Sequence, residues 1–276
     1  MVIYMSFSLI SGKKNNLWIG KFSIFPEDCF VHGISTRYGG VSHGAFDSLN
    51  LGLHVEDDAD AVKQNRDIFF EGLGLPKGSG VTCQQVHGDR IAVVSREQAG
   101  RGMYDYSTSI PDVDALVTNV PRLPLMLFFA DCTPILLADP VTKAIGVAHG
   151  GWKGTVASIA RKTVQRMVEE YGCNPRNILA GIGPAIGPCC YEVGDEVVHQ
   201  FTDAFPEFIQ DILTNEAGSN RLNLAKANRL QLIQAGLEDN NIDMAEVCTS
   251  CNNRQFFSYR GDKGRTGRIA AVLSIR

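Results

Sequence analysis

The sequence predicts an α/β fold built on a mixed sheet. Two observations carry this. Short apolar runs rich in Val, Ile and Phe recur along the chain, bounded by Gly, Pro or Asp. Between some of them stand segments whose apolar residues repeat with the helical period, while other neighbouring runs are joined by turns too short for a crossover helix. Such an order favours one α/β sandwich in which parallel and antiparallel strands mix. No repeat, low-complexity tract or long Pro/Gly/Ser linker divides the chain, so residues 1–276 are expected to form a single domain.

The strands are expected at residues 31–36, 81–86, 91–95, 115–118, 125–130, 135–138, 144–149, 177–182, 246–249 and 269–274. A first helix is expected over 59–73, with Asp57 and Asp58 as N-terminal caps. The clearest helix is 155–171. Its Val156, Ile159, Ala160, Thr163, Val164 and Met167 keep the helical period, and Gly172 ends it. A third covers 224–237, with Leu224, Ala227, Leu230 and Ile233 on one face, and a fourth 194–205. Residues 100–112 read as an irregular surface loop.

Composition narrows the function. The chain has 276 residues, 44% of them hydrophobic, enough for a substantial core. A net charge of −4 makes no electrostatic case for nucleic acid or an anionic membrane surface. Met1 to Ile10 is short, and Lys13 and Lys14 follow it rather than precede it, so neither a signal peptide nor an anchor is expected. Eight cysteines in a chain with its own core and no export signal read as reduced thiols in the cytoplasm.

Three residues stand out for chemistry. Cys132 follows the apolar run Phe128-Phe129-Ala130-Asp131 and precedes Thr133-Pro134, where Pro134 is expected to stop the strand. His149 lies in Val147-Ala148-His149-Gly150-Gly151-Trp152, at the end of a strand and before a helix. His87 closes Cys83-Gln84-Gln85-Val86 and is followed by Gly88. Each has an ordinary alternative: a small buried thiol, or a turn histidine. Together they place three metal-ligating or nucleophilic side chains at strand ends, where functional residues gather. Their separations match no local zinc motif, although two His and one Cys suit zinc or copper with a position left open.

Weaker candidates are cationic or amide side chains at turns. Arg37, before Gly39-Gly40, offers a planar fork for an oxyanion. Arg260, before Gly261, is a second candidate anion contact, and Asn50 either meets substrate or caps a turn. Cys248-Thr249-Ser250-Cys251 is a CxxC, but the pair that would complete a zinc site, Cys189-Cys190, is adjacent in sequence, so these four read as structural thiols. His43, His54 and His199 have surface or turn contexts, and His32 reads as structural.

From about Gly33 onward the chain resembles the bacterial laccase-domain proteins, or multicopper polyphenol oxidoreductases, a family that also includes proteins described as purine nucleoside phosphorylases and peptidoglycan-editing factors. The blocks that carry the resemblance are Thr36-Arg37-Tyr38-Gly39-Gly40-Val41-Ser42, Leu49-Asn50-Leu51-Gly52-Leu53-His54-Val55, Gln85-Val86-His87-Gly88, Ala130-Asp131-Cys132-Thr133-Pro134 and Ala148-His149-Gly150-Gly151-Trp152-Lys153-Gly154. Gly183 to Gly194 and Phe256-Phe257-Ser258-Tyr259-Arg260 extend it. Gly150 and Lys153 depart from the usual Ala and Arg.

The resemblance implies a three-layer α-β-α fold and a zinc or copper site whose ligands are His87, Cys132 and His149. It also implies an enzyme that phosphorolyses adenosine, inosine and methylthioadenosine and deaminates adenosine; the chain is further expected to be a cytoplasmic monomer. Phosphate is then expected near Arg37 and the helix opening at Thr155, and other substrate contacts at Asn50 and Arg260. Six histidines are too few for a true multicopper oxidase. Two further readings are a metal-free Cys/His hydrolase of peptidoglycan precursors, with Cys132 as nucleophile and His149 or His87 as base, and a non-catalytic binding protein.

Overall fold

The apolar runs between residues 125 and 150 are buried along their whole length, and they lie at the centre of the molecule. The structure is a computed structural model that describes residues 7–12, 16–216 and 218–276. Residues 1–6, Lys13 and Lys14, on which the reading of the N-terminus rests, lie outside the described residues.

In chain order the elements are β1 (Phe7–Ser11), β2 (Trp18–Phe22), β3 (Phe30–Ser35), α1 (Ala59–Leu73), β4 (Ile91–Val93), β5 (Ala115–Thr118), β6 (Leu125–Phe129), β7 (Thr133–Asp139) and β8 (Ala144–Gly150). Then come α2 (Trp152–Val156), α3 (Ile159–Tyr171), β9 (Leu179–Ile182), α4 (Asp195–Ala204), α5 (Ile209–Ile212), β10 (Leu213–Glu216), β11 (Ser219–Leu222), α6 (Leu224–Gln234), β12 (Ile242–Met244) and β13 (Ile269–Ile275).

The mixed α/β class expected from the sequence holds, and its β layer is two sheets deep. The first sheet runs β1-β2-β3-β13-β6 and is antiparallel throughout. The second runs β12-β9-β7-β8-β5-β4, with the pairs β12–β9 and β4–β5 parallel and the others antiparallel. Alternation along each strand explains the stacking. Leu125, Leu127 and Phe129 of β6 face Leu136 and Val147 of the other sheet. Met126 and Phe128, one residue out of phase, face Phe69 and Phe70 of α1 instead. On the far side, Ile135, Leu137 and Ala148 pack under Ile159, Val164 and Met167 of α3 and Leu232 of α6. Strands buried on both faces read as unbroken apolar runs, which is why they are legible in the sequence.

Several expected elements move. Residues 81–86 make only the bridges Val81–Leu125 and Cys83–Ile110, and 246–249 only the bridge Ala185–Cys248. Pro134 does not stop a strand: it lies within β7 opposite His149, and its carbonyl accepts the Gly183 N–H. The helix expected over 155–171 is two helices, because Ser158 adopts a left-handed φ of 64° between α2 and α3. The hairpin β10–β11 has no apolar alternation to announce it. α1 keeps its expected bounds, capped by the Asp58 carboxylate on the N–H groups of Asp60 and Ala61 and closed by left-handed Gly74. Among the described residues no helix is long and apolar enough to cross a membrane.

One buried charge ties α1 to the loops around it. The Arg66 guanidinium donates from Nε to the Leu51 carbonyl at 2.8 Å and from one terminal nitrogen to Gly102 and Met103 at 2.6 and 2.9 Å, and it lies over the Phe128 ring. Arg66→Ala leaves three carbonyls without these donors, each worth about 1–3 kcal/mol. The variant should therefore lose about 3 kcal/mol or more in urea denaturation; a loss below about 1 kcal/mol would show that the loops hold without it.

Candidate active site

Three residues far apart in sequence, His87, Cys132 and His149, meet at one place. Cys132 lies on the three-residue crossing from β6 in the first sheet to β7 in the second. His149 is near the end of β8, the neighbour of β7. His87 sits on the turn after the Cys83 bridge, at a left-handed φ of 60°. Their ligand atoms, one from each residue, all lie within 4.8 Å of one another. The two imidazole rings are 4.8 Å apart in an edge-to-face arrangement.

The group that gathers them is Asp114, just before β5, which sequence reasoning did not single out. One oxygen takes His149 Nδ1 at 2.8 Å and the His87 N–H at 2.9 Å. The other takes the Gly88 and Val86 N–H groups at 2.7 and 3.1 Å. One buried carboxylate thus shapes the His87 turn and orients the His149 ring. With Nδ1 engaged, Nε2 of His149 is left to face Cys132 and His87. Burial works against the Asp114 charge, but His149 and the amides hold the acid below the usual carboxylate range.

The electrostatics of the site favour a thiolate beside an imidazolium. Burial raises the Cys132 thiol, yet the contacts with His149 and His87 outweigh it and bring it down to about 6. Burial lowers His149, and Cys132 and Asp114 outweigh that and raise it to about 9. The same donors fit a metal: two imidazoles and a readily ionised thiol, with a carboxylate behind one imidazole. Gly151 makes room for them. A Cβ there would stand 2.9 Å from the His87 ring, 3.2 Å from the Cys132 sulfur and 3.6 Å from the His149 ring.

The three residues line a cavity of about 510 Å³. Its other walls are His54, Gln85, Phe128, Ala130, Asp131, Ile186, Tyr191, Tyr259, Arg260 and Arg268. Asp131, at a left-handed φ of 86°, pins the walls together. Its carboxylate takes the Thr249 hydroxyl and the Arg260 N–H, both at 2.7 Å, and its carbonyl takes the Ile186 N–H. The Arg260 guanidinium lies 5.5 Å from the Tyr191 ring centre, and that of Arg268 lies 5.9 Å from the Tyr259 ring centre.

Of the sequence-predicted substrate contacts, the structure brings Arg260 to this cavity and leaves Arg37 and Asn50 outside its lining. Arg37 lies over Phe257 and donates to the carbonyls of Asp47 and Asn253 at 2.9 and 2.6 Å. Asn50 is buried, and its Oδ1 accepts the N–H groups of Gly52 and Arg268 at 3.0 and 2.8 Å. Thr155 is not a helix opening: it is buried inside α2, its carbonyl taken by Gln231 and its hydroxyl by Asn228. His54, read in a surface or turn context, is exposed and also lines the cavity. Arg268 was missed, although it directly precedes β13, and the strand-end pattern that marks Cys132 could have found it. His32 is structural as expected: its Nε2 accepts the Phe22 N–H between β3 and β2.

Two outcomes follow for the chemistry. In metal-free protein, iodoacetamide should label Cys132 with a midpoint near pH 6, because the thiolate persists above its lowered pKa and is lost below it. Peptide mass spectrometry against pH reads this directly, and a midpoint near that of a free thiol, about 8.5, would remove the thiolate–imidazolium pair. Asp114→Asn should weaken zinc binding by about 10–100-fold, as loss of the group behind a ligating histidine does. Zinc affinity equal to wild type in a competition titration would mean that Asp114 does not orient His149.

Residues 31–276 match the family model described as multi-copper polyphenol oxidoreductase laccase. A relative from Geobacillus stearothermophilus named "Purine nucleoside phosphorylase YlmD" is 42% identical over 247 residues, 89% of this chain and 90% of the relative. A protein of Bacteroides thetaiotaomicron named "Purine nucleoside phosphorylase" is 31% identical over 97% of this chain and 99% of its own length. The crystal structure of the Bacillus licheniformis hypothetical protein YfiH superposes with a TM-score of 0.92 at 36% identity, covering 99% of this chain and all of that one (100%). A converging His/Cys/His site on the same fold, with identity of this order along nearly the whole chain, leads to one assignment: the chain belongs to the multi-copper polyphenol oxidoreductase laccase family.

Proposed function

We propose that this protein is a metal-dependent purine nucleoside phosphorylase acting on adenosine, inosine and methylthioadenosine, and that the same cavity deaminates adenosine. The observation that carries the reading is the convergence of His87, Cys132 and His149 in a cavity walled by aromatic rings and two arginines. The relatives named purine nucleoside phosphorylase support it. His87, Cys132 and His149 would hold the ion, and two nitrogens with one sulfur suit zinc, with copper as the alternative. When bound, such an ion supplies Lewis acidity, which makes water more acidic near neutral pH.

The residues of the chain supply the rest. Tyr191, Tyr259 and Phe128 offer apolar faces for a planar base. Arg260 and Arg268 provide the positive charge for phosphate and for the charge that builds as it attacks ribose C1′. In that step a phosphate oxygen bonds to C1′, the C1′–N9 bond breaks, and the purine leaves with the electron pair and takes up a proton. In deamination water adds at C6 and ammonia departs. On this reading Arg260 and Arg268, which line the cavity, take the phosphate in place of Arg37, which does not line it.

A second reading has one observation in its favour. Asp114, His149 and Cys132 stand in line as orienting acid, base and nucleophile, the arrangement of a cysteine hydrolase. Metal removal separates the two. Phosphorolysis should stop when zinc is stripped and return when it is restored, whereas a cysteine hydrolase keeps its activity without metal.

The direct test is turnover of adenosine and inosine with and without phosphate. Release of the purine base and ribose 1-phosphate only when phosphate is present is the expected result; the absence of both products at any metal loading would overturn the proposal. Arg268→Ala should lower kcat/KM for phosphorolysis by about 10–100-fold, the worth of one charge-assisted contact, and deamination by much less. Equal losses in both reactions would mean that Arg268 shapes the cavity and does not hold phosphate.

A further inference from the structure

Four of the seven cysteines that do not line that cavity stand together. Cys189 and Cys190 follow β9, and Cys248 and Cys251 follow β12, the strand beside β9. Adjacent cysteines are poor ligands in an extended chain, but this segment is a tight turn. The N–H groups of both Cys190 and Tyr191 bond the Gly187 carbonyl, at 3.0 and 2.9 Å. The result is that all four sulfurs lie within 4.8 Å of one another. Cys251 Sγ is 3.5 Å from that of Cys189 and 3.4 Å from that of Cys190.

Three features of the cluster go together. The separations are far beyond a disulfide bond, about 2.05 Å. They are near the roughly 3.8 Å that divides sulfurs placed tetrahedrally around a zinc ion with bonds of about 2.3 Å. Two backbone amides point at one sulfur: Gly187 N and Cys251 N donate to Cys248 Sγ at 3.2 and 3.5 Å. Amides directed at a sulfur stabilise a thiolate, the form that binds metal. Gly187 also lets the chains approach, since a Cβ there would stand 3.1 Å from Cys248 Cβ and 3.2 Å from Cys189 Sγ.

The geometry points to a second metal site, a zinc ion held by the thiolates of Cys189, Cys190, Cys248 and Cys251. Binding releases the thiol protons to solvent. Four sulfurs close the shell and leave no position for substrate, so the site is structural. What it fastens is specific. The first loop carries Ile186 and Tyr191 into the cavity, and the second carries Tyr259 and Arg260. The ion therefore joins the two loops that make one wall of the active cavity, the same loops that Asp131 bonds through Ile186, Thr249 and Arg260. This inference does not depend on which reaction the cavity performs.

The test uses the full-length Cys132→Ala variant, which leaves the cluster untouched. Loaded with zinc and desalted, it should retain one ion per chain, and zinc X-ray absorption should show a shell of sulfur alone. Adding Cys248→Ser and Cys251→Ser should bring zinc to zero. A zinc-free Cys132→Ala protein, a shell containing imidazole nitrogen, or zinc retained after all three replacements would each overturn the site. So would a disulfide among the four cysteines in protein prepared under reducing, anaerobic conditions. The absorption measurement needs only the folded Cys132→Ala protein, so it stands even if the triple variant fails to fold. Wild-type zinc content bears on the cavity metal separately.

Discussion

The carboxylate of Asp114 is the group on which the site depends. It is buried between the sheets and the His87 turn, where an unpaired charge would be costly. Three backbone amides and one imidazole complete its shell. The amides explain how His87 is held at a left-handed φ that a side chain rarely adopts. The imidazole bond sets which nitrogen of His149 faces inward. Two of the three candidate ligands thus take their positions from one acid, and the acid is kept charged by the groups it orders.

The third candidate ligand is set by topology. β6 and β7 belong to different sheets, and only Ala130, Asp131 and Cys132 join them. So short a crossing forces an unusual backbone at Asp131, and the Asp131 side chain and carbonyl then anchor three points on the opposite wall. The strain and the cavity wall share one origin. The loops after β9 and β12 meet there because β12 lies parallel beside β9, so their following segments leave the same sheet end together.

Charge divides the cavity by task. Cys132 lines it next to the histidines, and the Asp114 carboxylate stands behind His149. Arg260 and Arg268 supply positive charge at its walls, each beside a tyrosine ring. Arg37, equally cationic, lies outside this lining, over Phe257 and 3.6 Å from the Asp262 carboxylate.

The sequence by itself determined the α/β class and the central strands. Strands buried on both faces are apolar along most of their length, so β6, β7 and β8 are visible without neighbours. It also marked His87, Cys132 and His149, since each closes a segment read as a strand and stands beside a turn. What it left undecided depends on contacts between segments distant in the chain. The polar hairpin β10–β11 carries no local period, and the break at Ser158 arises where α6 binds Thr155. Asp114, Arg268 and His54 matter only through the partners the fold brings to them. Arg37 and Arg260 look alike in sequence, each an arginine before a glycine turn, yet one is enclosed by carbonyls and the other lines the cavity. The four cysteines are the sharpest case: adjacency argued against a shared site, and a single tight turn at Gly187 reversed it. Local sequence carries burial and period, whereas convergence of side chains is a property of the packed sheets alone.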